Sequence, residues 1–187
     1  MGNQQDFNWV FDHDYCGLIL KGAFSNTLKK RVADAIHVFR NLNAPANPAT
    51  PYISAWRETA DHAIWYEFVG NRLLDLLHCR SCEVAEIFRD SVLQRCSYHY
   101  ADPPGAIAKS IHDRSELPRI QSVLRAEGKT SGRVEAIYKI ALGSGHVIWL
   151  KDQATVEFFV DDKICLSCGA LTDVTKEMTA EEQERHH

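Results

Sequence analysis

The chain has 187 residues, 45% hydrophobic and 25% charged, with a formal net charge of −4. That length and mixture suit one globular domain with an extension, with ample apolar material for a core. The mild acidity excludes the basic footprint of a nucleic-acid binder, and no run approaches the roughly 18 apolar residues of a membrane span, so neither partner is expected. The first residues lack the basic and apolar segments of a signal peptide, so the cytoplasm is the expected location. Six cysteines, at 16, 79, 82, 96, 165 and 168, are too dilute for a disulfide scaffold and are expected as mostly reduced thiols.

The apolar runs at 7–11 and 15–20 are too short for periodicity to assign, but they are expected to dock on the main domain or on a second copy. Ser25-Asn26 offers an N-cap, and Leu28, Val32, Ala35, Ile36, Phe39 and Leu42 then line one face of a helix over 26–42. This helix either packs on its own domain or forms a dimer. Pro45, Pro48 and Pro51 end it in a stiff linker. YISAWRE (52–58) and AIWYEFV (63–69) read as strands joined by a short loop at 59–62. A short helix over 70–79 and a second over 82–96 follow, the latter on the spacing of Val84, Ile87, Phe88 and Val92. Residues 97–105 read as a loop by their Pro and Gly content. Asp113 or Ser115 then caps a helix over 116–128, with Gly128 at its C-cap.

Residues 133–142, 146–159 and 164–174 are rich in β-branched and aromatic residues. The turns Gly143-Ser144-Gly145 and Asp161-Asp162 between them are too short for anything but antiparallel neighbours. The result is a meander that runs out into the polar segment 175–185. Two strands, several helices and three strands is an α+β order.

Four stretches in this order resemble segments of the PAS domain. IWYEFVGNRLLDLLHCR (64–80) is similar to its second strand and first helix. SIHDRSELPRIQSVLRAEG (110–128) is similar to the entry of its long helix, with Asp113-Arg114 following His112 and no proline between. GSGHVIWLKDQATVEFF (143–159) is similar to its strand pair, and GALTDVTKEM (169–178) to its Asp-Ile-Thr exit, with Val174 in place of Ile. The resemblance implies a PAS-like five-stranded antiparallel sheet with helices on one face, spanning 51–176. An N-terminal helical extension (1–50) would precede it and an outgoing linker (177–187) would follow. It also implies a sensor or dimerisation module and not an enzyme, most simply a homodimer. Its missing output would be a histidine kinase, a diguanylate cyclase or a transcriptional regulator. Asp173 and Thr175 match the exit positions, and Thr175 is a natural N-cap for the linker helix. A ligand-free interaction module is the alternative.

The aromatic residues of the strands are first of all core, but some are expected to line a cavity for a small organic ligand. Tyr66, Phe68, Tyr138 and Trp149, with His99 and His112, are the expected pocket residues. Haem would need an inward histidine, for which His99 and His112 stand in suitable positions. Zinc is not expected. Cys79-x2-Cys82 and Cys96-x2-His99 have near-knuckle spacing, yet a helix over 83–96 would hold Cys82 and Cys96 about 21 Å apart. Cys165 and Cys168, three apart on a strand, face opposite sides. No catalytic motif emerges.

Overall fold

The computed structural model describes residues 15–57, 63–101 and 105–184. The run at 7–11 and the loop at 59–62 lie outside them. Helix α1 spans Asn26–Leu42, as its apolar spacing predicts, and Ser25 Oγ accepts from the Leu28 amide at 3.2 Å to cap it. Strands β1 (Ala49–Arg57) and β2 (Ile64–Val69) follow, then helix α2 (Asn71–Leu77), one 3-10 turn (Ser81–Glu83) and helix α3 (Val84–Ser91). Strands β3 (Val92–Ala101) and β4 (Ala106–Asp113) pair with each other before helix α4 (Leu117–Ser131). The predicted meander is present as β5 (Arg133–Ala141), β6 (Val147–Phe159) and β7 (Ile164–Asp173), and α5 (Thr175–Glu184) closes the described chain.

All strands join one antiparallel sheet in the order β2-β1-β7-β6-β5-β3-β4. It has seven strands where the sequence predicts five. Of the two extra strands, β3 straddles the stretch read as a helix over 82–96 and a loop over 97–105, and β4 lies in 106–113, to which the sequence reading gives no element. The helix stops at Ser91, and the chain is extended from Val92. No Gly or Pro interrupts the helical spacing at that point, but β3 is paired on both sides, to β4 and to β5. Those non-local ladders override the local preference.

The sheet carries helices on both faces instead of one. On the inner face, Leu73 and Leu77 of α2 and Val84 of α3 bury against Tyr52, Val69, Ile140, Leu150 and Leu171. On the outer face, Leu28, Val32 and Ile36 of α1, with Ile19, bury against Ile53, Ala55, Ile164 and Leu166. Farther along the same face Met178 of α5 covers Cys96 and Trp149. Cys165 and Cys168 fall on opposite faces, Cys165 beside Trp56 and Cys168 beneath α1.

Three terminal details differ from the sequence reading. Neither Asp113 nor Ser115 caps α4; Glu116 occupies that position without a side-chain capping bond. Gly128 lies inside α4, packed on Val134, and the left-handed C-cap (φ 69°) is Gly132. Pro51 belongs to β1 and not to the linker, tolerated because β2 begins to pair only at Tyr52 and leaves that edge free of a needed donor.

Candidate functional site

The inner face contains a polar cluster within its apolar core. Asp152 of β6 is buried among Leu150, Ala154 and Leu171, and its Oδ1 accepts the Tyr52 hydroxyl at 2.7 Å. Burial pushes the Asp152 carboxyl up to about 6, against the opposing pull of the Tyr52 hydrogen bond and the Arg95 charge. Tyr52 is held well above its usual range, first by burial and then by Asp152, so it stays a donor. Tyr66 meets Tyr52 edge to face at 5.9 Å and stacks on Phe88 of α3 at 6.3 Å. Tyr138 of β5 lies directly across the ladder from Arg95 of β3 and feels its charge and that of Arg125 of α4. Tyr52 and Asp152 are buried, while Tyr66, Phe88, Arg95 and Tyr138 around them are only partly so. The arrangement offers a planar apolar wall, hydroxyl donors and a carboxyl poised between its two charge states.

The structure divides the six residues expected in the pocket. Tyr66 and Tyr138 share the inner cluster. Phe68 does not join them, because a β-bulge in β2 inserts Glu67 between Tyr66 and Phe68 and turns Phe68 outward. There it meets Phe39 of α1 edge to face at 6.4 Å. Trp149 also faces outward, buried under α5 with Lys139 Nζ 4.9 Å above its ring. His99 is exposed near the end of β3, and His112 lies on β4 with Nδ1 3.7 Å from Glu116. Asp152, Tyr52 and Arg95 escaped the sequence reading. The available signal was Asp152 itself, a carboxylate two residues from Leu150 and two from Ala154 on the apolar side of an alternating strand.

The exit of the sheet is tied at one point. Asp173 Oδ1 accepts from the Thr175 amide at 3.0 Å and from the Thr175 hydroxyl at 2.5 Å. Thr175 Oγ1 in turn accepts from the Trp149 amide at 3.0 Å, and the Val174 amide donates to the Trp149 carbonyl at 2.9 Å. Val174 and not Thr175 holds the N-cap position, since its carbonyl takes the first helical bond, from Met178. Polar clasps hold α5 on the sheet. Glu181 binds Lys109 at 2.8 Å and the Tyr98 hydroxyl at 2.9 Å, and Glu182 binds Lys139 at 2.6 Å. An open recess of about 430 Å³ adjoins this region, lined by Cys96, Tyr98, His99, Ile107, Glu135 and Lys151 among others.

The helix used to separate the cysteines in the zinc argument ends before Cys96. Cys96 lies buried beside Trp149, whereas Cys79 and Cys82 belong to the helical cap on the inner face. Among the described residues no three His, Cys, Asp or Glu side chains are grouped to hold a metal ion.

No family model matches the chain, and no curated protein does. Solved structures do. One is a sensory box histidine kinase/response regulator from Burkholderia thailandensis E264, at 13% identity and TM-score 0.42, with 72% of this chain and 85% of that chain covered. A second is an RNA-binding light-oxygen-voltage receptor, at 14% identity and TM-score 0.44, with 82% and 37% covered. A third is the PAS domain of the fruit-fly ELK potassium channel, at 8% identity and TM-score 0.37, with 82% and 99% covered. The chain's own element order is the one expected from its resemblance to PAS domains. Its antiparallel sheet receives two strands from the N-terminal side and three from the C-terminal meander, with α2, α3 and α4 between them on one face. The β3–β4 hairpin and the α1 layer extend this body at one edge and on the opposite face.

Proposed function

We propose that the chain is a PAS-like sensory module. A small organic molecule at the inner cluster would bias an output joined beyond α5, of the histidine kinase, diguanylate cyclase or transcriptional regulator type. One observation carries the reading. Strand β6 presents Asp152 to the inner cluster and, three residues earlier, supplies both backbone bonds that fix Val174 and Thr175. A ligand that displaces Tyr52 or Asp152 therefore shifts the strand on which the exit junction is built. No catalytic role is assigned to these groups. The partly exposed tyrosines and arginines favour a flat molecule with a polar edge, met by stacking and by hydrogen bonds.

The test has two parts. Native mass spectrometry and a thermal-shift screen should find a molecule that raises Tm; at about 100 times its Kd the expected stabilisation is about 2.7 kcal/mol. Asp173→Ala should leave the sheet folded, speed hydrogen exchange of the α5 amides and uncouple input from output in the full-length protein. Unchanged α5 exchange and unchanged signalling in that variant would sink the exit route. The exposed Val38 and Leu42 on the solvent side of α1 favour a second reading, a ligand-free module that pairs with another copy of the chain. A concentration-dependent dimer with no response to any molecule screened would favour it.

A further inference from the structure

Residues 15–20 cross the outer face beside the edge strand β2 and are held by one carboxylate. Glu67 accepts from the Leu18 amide at 2.9 Å, from the Ile19 amide at 3.0 Å, from Trp65 Nε1 at 2.7 Å and from the Tyr15 hydroxyl. These bonds fix the strap on both sides of Cys16. Its thiol meets the 3-10 turn that opens the helical cap of the other face, where Ser81 Oγ donates to Cys16 Sγ at 3.3 Å. Cys82, the next residue in that turn, is close enough to Cys16 for its thiol to feel it. Both sulfurs are exposed, and 66 residues separate them in sequence.

We propose that Cys16 and Cys82 form a reversible disulfide that latches the N-terminal strap to the helical cap across the β2 edge of the sheet. Cys16 already touches the residue before Cys82, and each cysteine sits exposed on a short surface segment, so the approach to bonding distance is a local movement of the strap and the turn. The chemistry is thiol exchange with a small disulfide such as oxidised glutathione. The Cys82 thiolate attacks one glutathione sulfur and expels the first glutathione thiolate, and Cys16 then attacks the mixed disulfide and expels the second. Two protein thiols are oxidised, one glutathione disulfide is reduced to two glutathiones, and the two thiol protons end on them. An exposed bond of this kind belongs to the labile, regulatory class and not to the structural one.

The surroundings set the rate. The neighbouring Cys16 holds the Cys82 thiol above its usual value, and the Arg80 charge opposes this. Cys79 competes for the same partner. It is half-buried, and its thiol is pushed up first by that burial and then by Glu83 and Cys82, which makes it the poorer nucleophile. Cys96, Cys165 and Cys168 are buried and serve as internal controls. The latch would answer to redox state, independently of any ligand at the inner cluster.

Trypsin separates the alternatives, because Arg80 lies between Cys79 and Cys82 and places them on different peptides. The purified chain is incubated with oxidised glutathione, alkylated and digested. The expected product joins peptide 1–21 to peptide 81–89, with loss of two free thiols. Its formation should raise Tm by about 5–10 °C, because the closed loop contains α1, β1, β2 and α2. Dithiothreitol should reverse the rise, Cys16→Ser and Cys82→Ser should each abolish it, and Cys79→Ser should leave it intact. A 73–80 to 81–89 link, a stable glutathione adduct on Cys82 that Cys16 does not resolve, or no loss of thiols would each overturn the proposal.

Discussion

Helices α1 and α5 lie on the same face of the same sheet, and different forces hold them. α1 buries Leu28, Val32 and Ile36 almost completely, and the ion pair of Arg31 with Glu157 adds orientation at 2.5 Å. α5 buries Met178 alone and otherwise depends on half-exposed carboxylates reaching Lys109, Tyr98 and Lys139. Apolar burial on the scale of α1 is worth several kcal/mol, whereas part-buried pairs that still meet solvent, as these do, are worth on the order of 1 kcal/mol each. One helix is therefore part of the fold and the other is a releasable element resting on it. Strand β6 runs beneath both, with Trp149 under α5 and Phe159 beside α1. The sensory role proposed above would use this asymmetry, a rigid body with one element able to detach.

The largest expected effect comes from truncating the two anchors in parallel. Leu28→Ala should cost about 2–5 kcal/mol of global stability in chemical denaturation, because it leaves a cavity under a helix that cannot detach alone. Met178→Ala should cost only about 1–2 kcal/mol, because the loss saturates once α5 leaves the sheet. Equal costs would erase the distinction between the helices.

Acid should act on the strand beneath both. The Asp152 carboxyl lies at about 6 in the folded chain, above its ordinary 3.8. Between these values the unfolded chain has released the proton while the folded chain retains it. Stability should thus fall by about 3 kcal/mol in all as pH rises through these two values, about 2 kcal/mol of it between pH 4 and 6, and this contribution should be flat above about pH 7. Asp152→Asn should remove the slope, read as Tm at pH 4.5 and 7. A slope that survives the substitution would assign it to another group.

The smallest effect is the most selective. Raising salt from 0.1 M to 1 M shortens the screening length from about 10 Å to about 3 Å. Hydrogen exchange of the α5 amides should quicken by a few-fold, while that of α1 should not change. Equal responses would mean that α5 is held by more than its clasps.

Much of this molecule was legible along the chain. The α1 boundaries follow from apolar residues three and four apart and from the Ser25 cap, both local. The β5–β6–β7 meander follows from β-branched runs cut by turn residues, and the Asp173–Thr175 pair was visible because its partners are two residues apart. What failed was whatever depends on distant partners. Residues 92–101 carry helical spacing at their start, and only pairing with β4 and β5 makes them a strand. Alternation around Ile107, Lys109 and Ile111, preceded by Asp-Pro-Pro-Gly, was the one hint of a hairpin there.

The facing of side chains was the least legible of all. A bulge at Glu67 sends Tyr66 inward and Phe68 outward, and a second between Val92 and Gln94 shifts the parity of β3 so that Arg95 reaches the inner cluster. An added residue in a strand reverses every facing beyond it, and nothing in a single sequence marks where it falls. The chain by itself determined its local elements, because a helix cap, an apolar stripe and a tight turn are written in neighbouring residues. Only the tertiary structure decided which face each strand shows, where Asp152 is buried and which helix can let go, because burial and pairing are set by residues far apart in sequence.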